Sequence, residues 1–264
     1  MTKLKYAFLA LCVSVILLSG AHVLAEEPAL RGYIKGSGYV YVTLGTYPTE
    51  RSGARKPVVW RVLSADNGEI LLLSEYILDV HQVIECDNKN DSEVTRNFRR
   101  ISDYGESDLH IWMNGEMLDD LCSEQDFKPL IIDKQYGKLY CLTADQILNP
   151  AYGFSATRWS SQPSHTAKGT AYAKSHRLYK DWGSALCGED GNDAYWIAEL
   201  RDPEHPDENI KMSIVGGNGH LSHGVYTRVN IGVRPATVIN AERVKVISGS
   251  GTKKAPYVLD IIPE

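Results

Sequence analysis

The chain lacks most of the short signatures that mark an enzyme. It contains no G-x-S-x-G, no H-E-x-x-H, no P-loop and no G-x-G-x-x-G behind a strand-like run. The motif-borne forms of serine hydrolase, zinc protease and nucleotide-binding enzyme are therefore excluded. No two cysteines are spaced C-x-x-C, which removes zinc-ribbon and thioredoxin-type centres. No basic stripe is present to neutralise phosphates, so nucleic acid is not an expected partner. Internal repeats, heptads and a second long apolar run are also missing, and no transmembrane span is expected in the mature chain. Phenylalanine is scarce, with four residues against 15 tyrosines. Most rings therefore carry a hydroxyl, which suits a saccharide- or protein-binding surface as well as an exported β-rich core.

What is present begins with a targeting segment. Lys3 and Lys5 precede an almost unbroken apolar stretch from Ala7 to Leu18, and Val23-Leu24-Ala25 offers small or apolar residues at positions −3 and −1. Residues 1–25 read as a signal peptide cleaved before Glu26. The apolar run is short for a span of about 20 residues, which argues against an uncleaved anchor. Cys12 lies inside the run rather than at its end, which argues against acylation there. The expected destination is extracytoplasmic: periplasmic, cell-surface or secreted. Removing two lysines and no acids leaves 26 basic and 33 acidic residues, a net charge of −7.

With 264 residues, 43% hydrophobic and 23% charged, the rest is an ordinary globular chain that can bury a sizeable core. Residues 26–38 form a lead-in, and residues 39–264 form a single α+β domain of short antiparallel strands with a few helices. Tyr39 to Leu44 and Val58 to Leu63 read as strands, with a loop beginning at Tyr47-Pro48. Asp66-Asn67-Gly68 predicts a tight hairpin into Leu71-Leu72-Leu73. Ser107 caps a helix whose apolar face carries Leu109, Trp112, Met113, Met117 and Leu121. Lys138 to Leu142 is a further strand candidate, and Thr143-Ala144-Asp145-Gln146 has capping-box spacing. Thr170 to Tyr179 predicts a helix. Strands are expected over Tyr195 to Leu200, Ile210 to Ile214, Val225 to Val229 and Gly232 to Ile239. Val244 to Ile247 and Tyr257 to Ile262 predict a terminal hairpin.

Several groups are candidate sites. Cys86, Cys122, Cys141 and Cys187 make an even number in an exported chain, so disulfides are expected, with three connectivities open. Trp159 and Trp182 lie in polar surroundings and are the candidate exposed aromatic contacts, whereas Trp60, Trp112 and Trp196 are expected to pack structurally. His220 and His223 sit three apart in a Gly-rich stretch and join Trp159, Trp182 and Arg201 as candidate ligand-binding residues. Glu189-Asp190-Gly191-Asn192-Asp193 has enough oxygen ligands for a surface calcium, but no cofactor is expected. Arg61 and Arg234 are charged residues in apolar strands. They must find carboxylates, carbonyls or water, and a structural clamp is the expected role.

Six landmarks occur in order: Gly45-Thr46-Tyr47-Pro48, Trp60-Arg61-Val62-Leu63, Leu71-Leu72-Leu73, Trp112-Met113-Asn114, Tyr195-Trp196 through Arg201, and Gly232-Val233-Arg234-Pro235-Ala236. Together they resemble an uncharacterised bacterial domain family common in exported and surface proteins, across about residues 39–262. The closing Gly249-Ser250-Gly251-Thr252 with Pro256-Tyr257 is similar to the tail of such proteins. Two places depart from the pattern: Ile197 to Leu200 intervene between Trp196 and Arg201, and residues 151–185 are hard to match. The resemblance implies scaffold roles for Trp60, Arg61, Trp112, Asn114, Trp196, Arg234 and Pro235. A late Gly-aliphatic-Arg strand is also similar to the formylglycine-generating-enzyme and C-type-lectin-like fold group, which implies an architecture rather than an activity.

The expected function is that of an exported, non-catalytic binding or structural domain, contacting an envelope glycan, a cell-wall component or a protein. The alternative is an enzyme of the formylglycine-generating fold group that uses a metal or a cysteine. A structural subunit of an envelope assembly is a third reading.

Overall fold

The computed structural model describes residues 30–84, 101, 103–176, 191–201, 211–226 and 229–263. Residues 1–25, expected to be a signal peptide, and Cys86, Trp182 and Cys187 lie outside them, as do Glu189 and Asp190 of the expected acidic loop. Arg201 and His223 fall within strands, but their side chains lie outside the described set.

The architecture is α+β. Among the described residues eleven strands form two sheets, with a few short helices packed around them. β1 (Tyr41–Pro48), β2 (Arg55–Asp66) and β3 (Glu69–Ser74) make an antiparallel meander. The β2–β3 turn is the expected one: Asp66 pairs with Glu69, and Asn67 and Gly68 take φ of 54° and 75°. Two successive positive φ values suit the right-handed twist of the flanking strands, and Asn-Gly reaches them at low cost. β4 (Asp79–His81) leaves this sheet for the other. Later strands are β5 (Tyr195–Arg201), β6 (Lys211–Val215), β7 (Leu221–Tyr226), β8 (Ile231–Val233), β9 (Ala236–Asn240), β10 (Val244–Ser248) and β11 (Tyr257–Ile261). The six-stranded sheet runs β10-β11-β1-β2-β3-β9, and the five-stranded sheet runs β4-β8-β5-β6-β7. Two pairings are parallel, β1 with β11 and β5 with β8, so the sheets are not wholly antiparallel.

Three strand expectations need correction. Gly232 to Ile239 is two strands in two sheets, broken at Arg234-Pro235. Pro235 has no N–H to give a ladder, so the chain turns the corner there. The same corner is made by residues 75–78 between β3 and β4. The two crossing segments run side by side, with Ser74 N donating to Pro235 O at 2.9 Å and Leu78 N donating to Val233 O at 2.9 Å. Tyr47-Pro48 belongs to β1 rather than a loop, because Pro48 sits at the strand's end. Of Lys138 to Leu142, only Tyr140 bridges, to Ala236 on the outer side of β9.

The helical segments follow their caps. Ser107 Oγ accepts from His110 N at the start of α1 (Asp108–Trp112), which continues through a π segment (Met113–Met117) into α2 (Leu118–Leu121). Leu109, Met113, Met117 and Leu121 on its inner face are fully buried. Thr143 caps α3 (Ala144–Ile147) with the complete reciprocal box, and Thr170 caps α4 (Ala171–Ser175). Replacing Thr143 with Ala frees one backbone donor, Gln146 N. The expected cost is about 1 kcal/mol, read as a lower denaturant midpoint at unchanged slope.

Candidate functional site

The two sheets meet at the Arg234 corner, where the scaffold residues gather. Arg234 is 1% exposed. Its Nε donates to Ser74 O at 2.8 Å and its Nη1 to Tyr195 Oη at 3.2 Å, while the Tyr195 ring lies 5.1 Å from the guanidinium carbon. Nη2 is buried without a hydrogen-bond acceptor. Burial lowers the Arg234 pKa, although nearby Tyr195 and Glu75 oppose the shift. Arg234 is thus a clamp across the corner, held by carbonyl, hydroxyl and ring contacts rather than by a direct ion pair. Arg61 takes the carboxylate: its Nε bonds Glu75, which also receives Lys253 Nζ at 2.5 Å. Burial pushes the Glu75 carboxyl up, but the bond and charge of Arg61, with Arg234 and Lys253, together outweigh it and hold the pKa at about 2.

The other expected scaffold residues are also tied in. Trp60 is fully buried and donates Nε1–H to Leu44 O at 2.9 Å. Trp196 is fully buried and donates to His81 O at 2.9 Å. Trp112 is only half-buried and stacks on the His81 ring at 4.5 Å, because it lies at the margin of the helix's apolar face. Asn114 makes four bonds, to His110 O and Leu139 O and from Lys138 N and Leu139 N, and so ties the helix to the following segment.

Cys122 and Cys141 correct the disulfide expectation at two positions, since both are free thiols. Each is enclosed in the core. Cys141 Sγ lies 3.9 Å from Met113 Sδ, and the Cys141 N–H is taken up by Tyr104 Oη. Burial pushes the Cys141 thiol up to about 12 and that of Cys122 up to about 11. Neither is a nucleophile at neutral pH. Iodoacetamide at pH 8 is expected to spare both until denaturant is added, as read by peptide mass analysis.

The strongest surface feature is Trp159, which is 59% exposed. The chain brings it beside His220, with ring centroids 6.0 Å apart. Two of the expected ligand-binding residues thus meet. The guanidinium of Arg158 lies 5.5 Å from the indole centroid, and Arg158 Nη2 bonds Glu199 of β5. Arg158 and Glu199 are the residues sequence reasoning misses, since neither has a spacing that distinguishes it from other surface charges.

This loop is held firmly. Leu221 N donates to Arg158 O at 3.1 Å, and Gln162 N donates to Asn218 O at 3.1 Å. His165 is fully buried, with Nδ1 2.9 Å from Gly219 O and Nε2 2.9 Å from Ser155 O. Burial, with a smaller contribution from the Arg234 charge, lowers the His165 pKa against the opposing pull of these carbonyls. Gly219 takes φ of +81°, and a Cβ there would sit 1.9 Å from Gln162 O. The 155–165 loop and the β6–β7 turn therefore touch backbone to backbone.

A second polar cluster lies around Asp79, which is 7% exposed. Its carboxylate accepts from Tyr47 Oη at 2.7 Å and from Val80 N at 2.9 Å, and His176 Nδ1 lies 3.1 Å away. Burial first, and then the Asp79 carboxylate, push the Tyr47 phenol pKa far up, which keeps it a donor. Of the acidic loop, Asp193 is already engaged by Gly169 N at 2.9 Å and Lys174 Nζ at 3.2 Å. Among the described residues no group of three or more His, Cys, Asp or Glu side chains is placed to hold a metal. None of the described helices is long and apolar enough to cross a membrane. No protein-family model, curated protein or solved structure matches the chain.

Proposed function

We propose that the chain is an exported, non-catalytic binding module that meets an envelope glycan, cell-wall component or protein through the Trp159–His220 face. One observation carries this reading: a mostly exposed indole stands on a loop fixed to the neighbouring turn by backbone hydrogen bonds. A ring that leaves most of its surface to solvent offers apolar contact area to a ligand, and a fixed loop loses little entropy on binding. The ordered landmarks support membership of the uncharacterised bacterial family, and the fold group they suggest makes the scaffold C-type-lectin-like. Purified chain is expected to be retained by isolated cell-envelope material, with Trp159→Ala lowering retention by at least about tenfold, a loss of about 1.4 kcal/mol. Equal retention of the two proteins would remove the indole from the reading.

The Asp79 cluster favours a second reading, a hydrolase. A buried carboxylate holding one imidazole nitrogen leaves the other to take a proton from water. Such chemistry departs from the metal or cysteine mechanism that the fold-group resemblance implies. It requires turnover of an activated ester that His176→Gln abolishes. Unchanged turnover in that variant would end this reading.

A further inference from the structure

We infer that the corner between the two sheets holds a small oxyanion, a carboxylate or phosphate group, among Arg61, Arg234, Lys253 and Tyr41. The inference goes beyond the binding reading above and does not depend on Trp159. Three cations gather at this corner around one carboxylate. Arg61 Nε and Lys253 Nζ both bond Glu75, the latter at 2.5 Å. Arg234 Nε bonds the carbonyl of Ser74, the residue before Glu75, at 2.8 Å. Three positive charges less one negative leave an excess of two. Arg234 is 1% exposed and the Arg61 side chain 12%, so water does little to spread that excess.

An unused donor faces the same place. Arg234 Nη2 is buried without an acceptor. On a planar guanidinium Nε and Nη2 share one edge, so Nη2 is turned as Nε is, toward the Ser74–Glu75 step. A water molecule would accept from Nη2 but leave the excess charge in place, whereas an oxyanion answers both. Lys253 and Tyr41 are the way in. The Lys253 side chain is 48% exposed, and its ammonium lies 5.2 Å from the centroid of the Tyr76 ring. Tyr41 is half-buried, and its hydroxyl lies within the field of Glu75, Arg61, Lys253 and Arg234. The tail turn fixes both residues. Tyr41 N donates to Gly251 O at 2.9 Å, and Ser250 N donates to Ala255 O at 2.9 Å across the turn that carries Lys253. An oxyanion entering between them meets donors already in position, which lowers the entropy lost on binding.

The test is a titration of the purified, ¹⁵N-labelled chain with sodium acetate and, separately, with inorganic phosphate, followed by amide chemical shifts. Ionic strength is held constant with chloride, so that general screening does not change. The expected result is a saturable shift of the Tyr41, Glu75 and Gly251 amides, with affinity weakened at least about threefold in Lys253→Gln. Glu75→Gln removes the competing negative charge and is expected to tighten binding. If that variant does not fold, Lys253→Gln, a change at an exposed side chain, still decides. Trp159→Ala and Lys134→Gln are expected to bind as wild type does, since Lys134 pairs with Glu69 at the opposite end of β3. The anion that binds more tightly identifies the group as carboxylate or phosphate. No saturable shift with either anion by roughly 50 mM, a ceiling well above a millimolar Kd, overturns the inference. Binding that Lys253→Gln leaves unchanged, or that Trp159→Ala or Lys134→Gln abolishes, puts the anion elsewhere and overturns it equally.

Discussion

Glu75→Gln is expected to destabilise the fold by about 3–5 kcal/mol, because it removes the one carboxylate shared by Arg61 and Lys253 and leaves a buried guanidinium uncompensated. The Glu75 side chain is 4% exposed and that of Arg61 12%, so solvent does little to screen the loss. For a chain of this size the shift in Tm is roughly 6–20 °C, since each kcal/mol is worth about 2–4 °C. The pH dependence carries the same signature. Glu75 is held at about 2, below its ordinary value of 4.5, so the unfolded chain binds its proton first as acid is added. The stabilisation is complete above the unfolded value and is lost as pH falls from about 4.5 to about 2. At most this is about 3 kcal/mol for a shift of that size. Denaturant titrations at pH 6, 4 and 3 should show wild type losing stability faster than Glu75→Gln. Parallel curves would mean that the carboxylate is not the group responsible.

Gly219→Ala is expected to undo the Trp159 face while leaving most of the fold in place. The backbone φ of +81° is strained for any residue with a Cβ, at roughly 1–2 kcal/mol. The larger effect is steric, because the new carbon would sit 1.9 Å from Gln162 O. No side chain can rotate away to relieve a contact with backbone, so the 155–165 loop must lift. Lifting it breaks the bonds of Gln162 N to Asn218 O and Leu221 N to Arg158 O, and the contact of His165 with Gly219 O. Retention by the ligand should fall as far as in Trp159→Ala, and proteases should cut within residues 155–165. Far-UV circular dichroism should be nearly unchanged, since both sheets' other pairings survive. Full retention in this variant would show that the loop's attachment does not matter to binding.

Local features of this fold are well marked in its residues, and long-range ones are not. The Asn67-Gly68 turn, the Ser107 cap and the Thr143 box are each decided by a few neighbouring atoms. Their residue types and spacing are therefore enough. The break at Arg234-Pro235 is harder. Residues 231–239 are buried throughout, so no alternation reveals that the chain changes sheet, and only the proline hints at it. The site is legible in half. Trp159 and His220 each stand out by chemistry, but their meeting depends on how the 155–165 loop docks on the β6–β7 turn. The Arg158–Glu199 pair joins positions 41 apart, and no local pattern connects them. For Cys122 and Cys141, parity and compartment point to disulfides, whereas core packing decides that both are thiols.

The placement of β1 has a consequence for when the protein can fold. β1 lies between β2 and β11, and its far-side register pairs Val42 with Tyr257 and Thr43 with Val258. Thr43 and Tyr257 are 214 positions apart. At roughly 5–20 residues per second, synthesis leaves that edge of β1 open for on the order of ten seconds or more. An open edge is a template for unwanted pairing. The larger sheet can therefore close on that side of β1 only after β11 has been made, so the completion of this edge waits on the residues around Tyr257 and Val258.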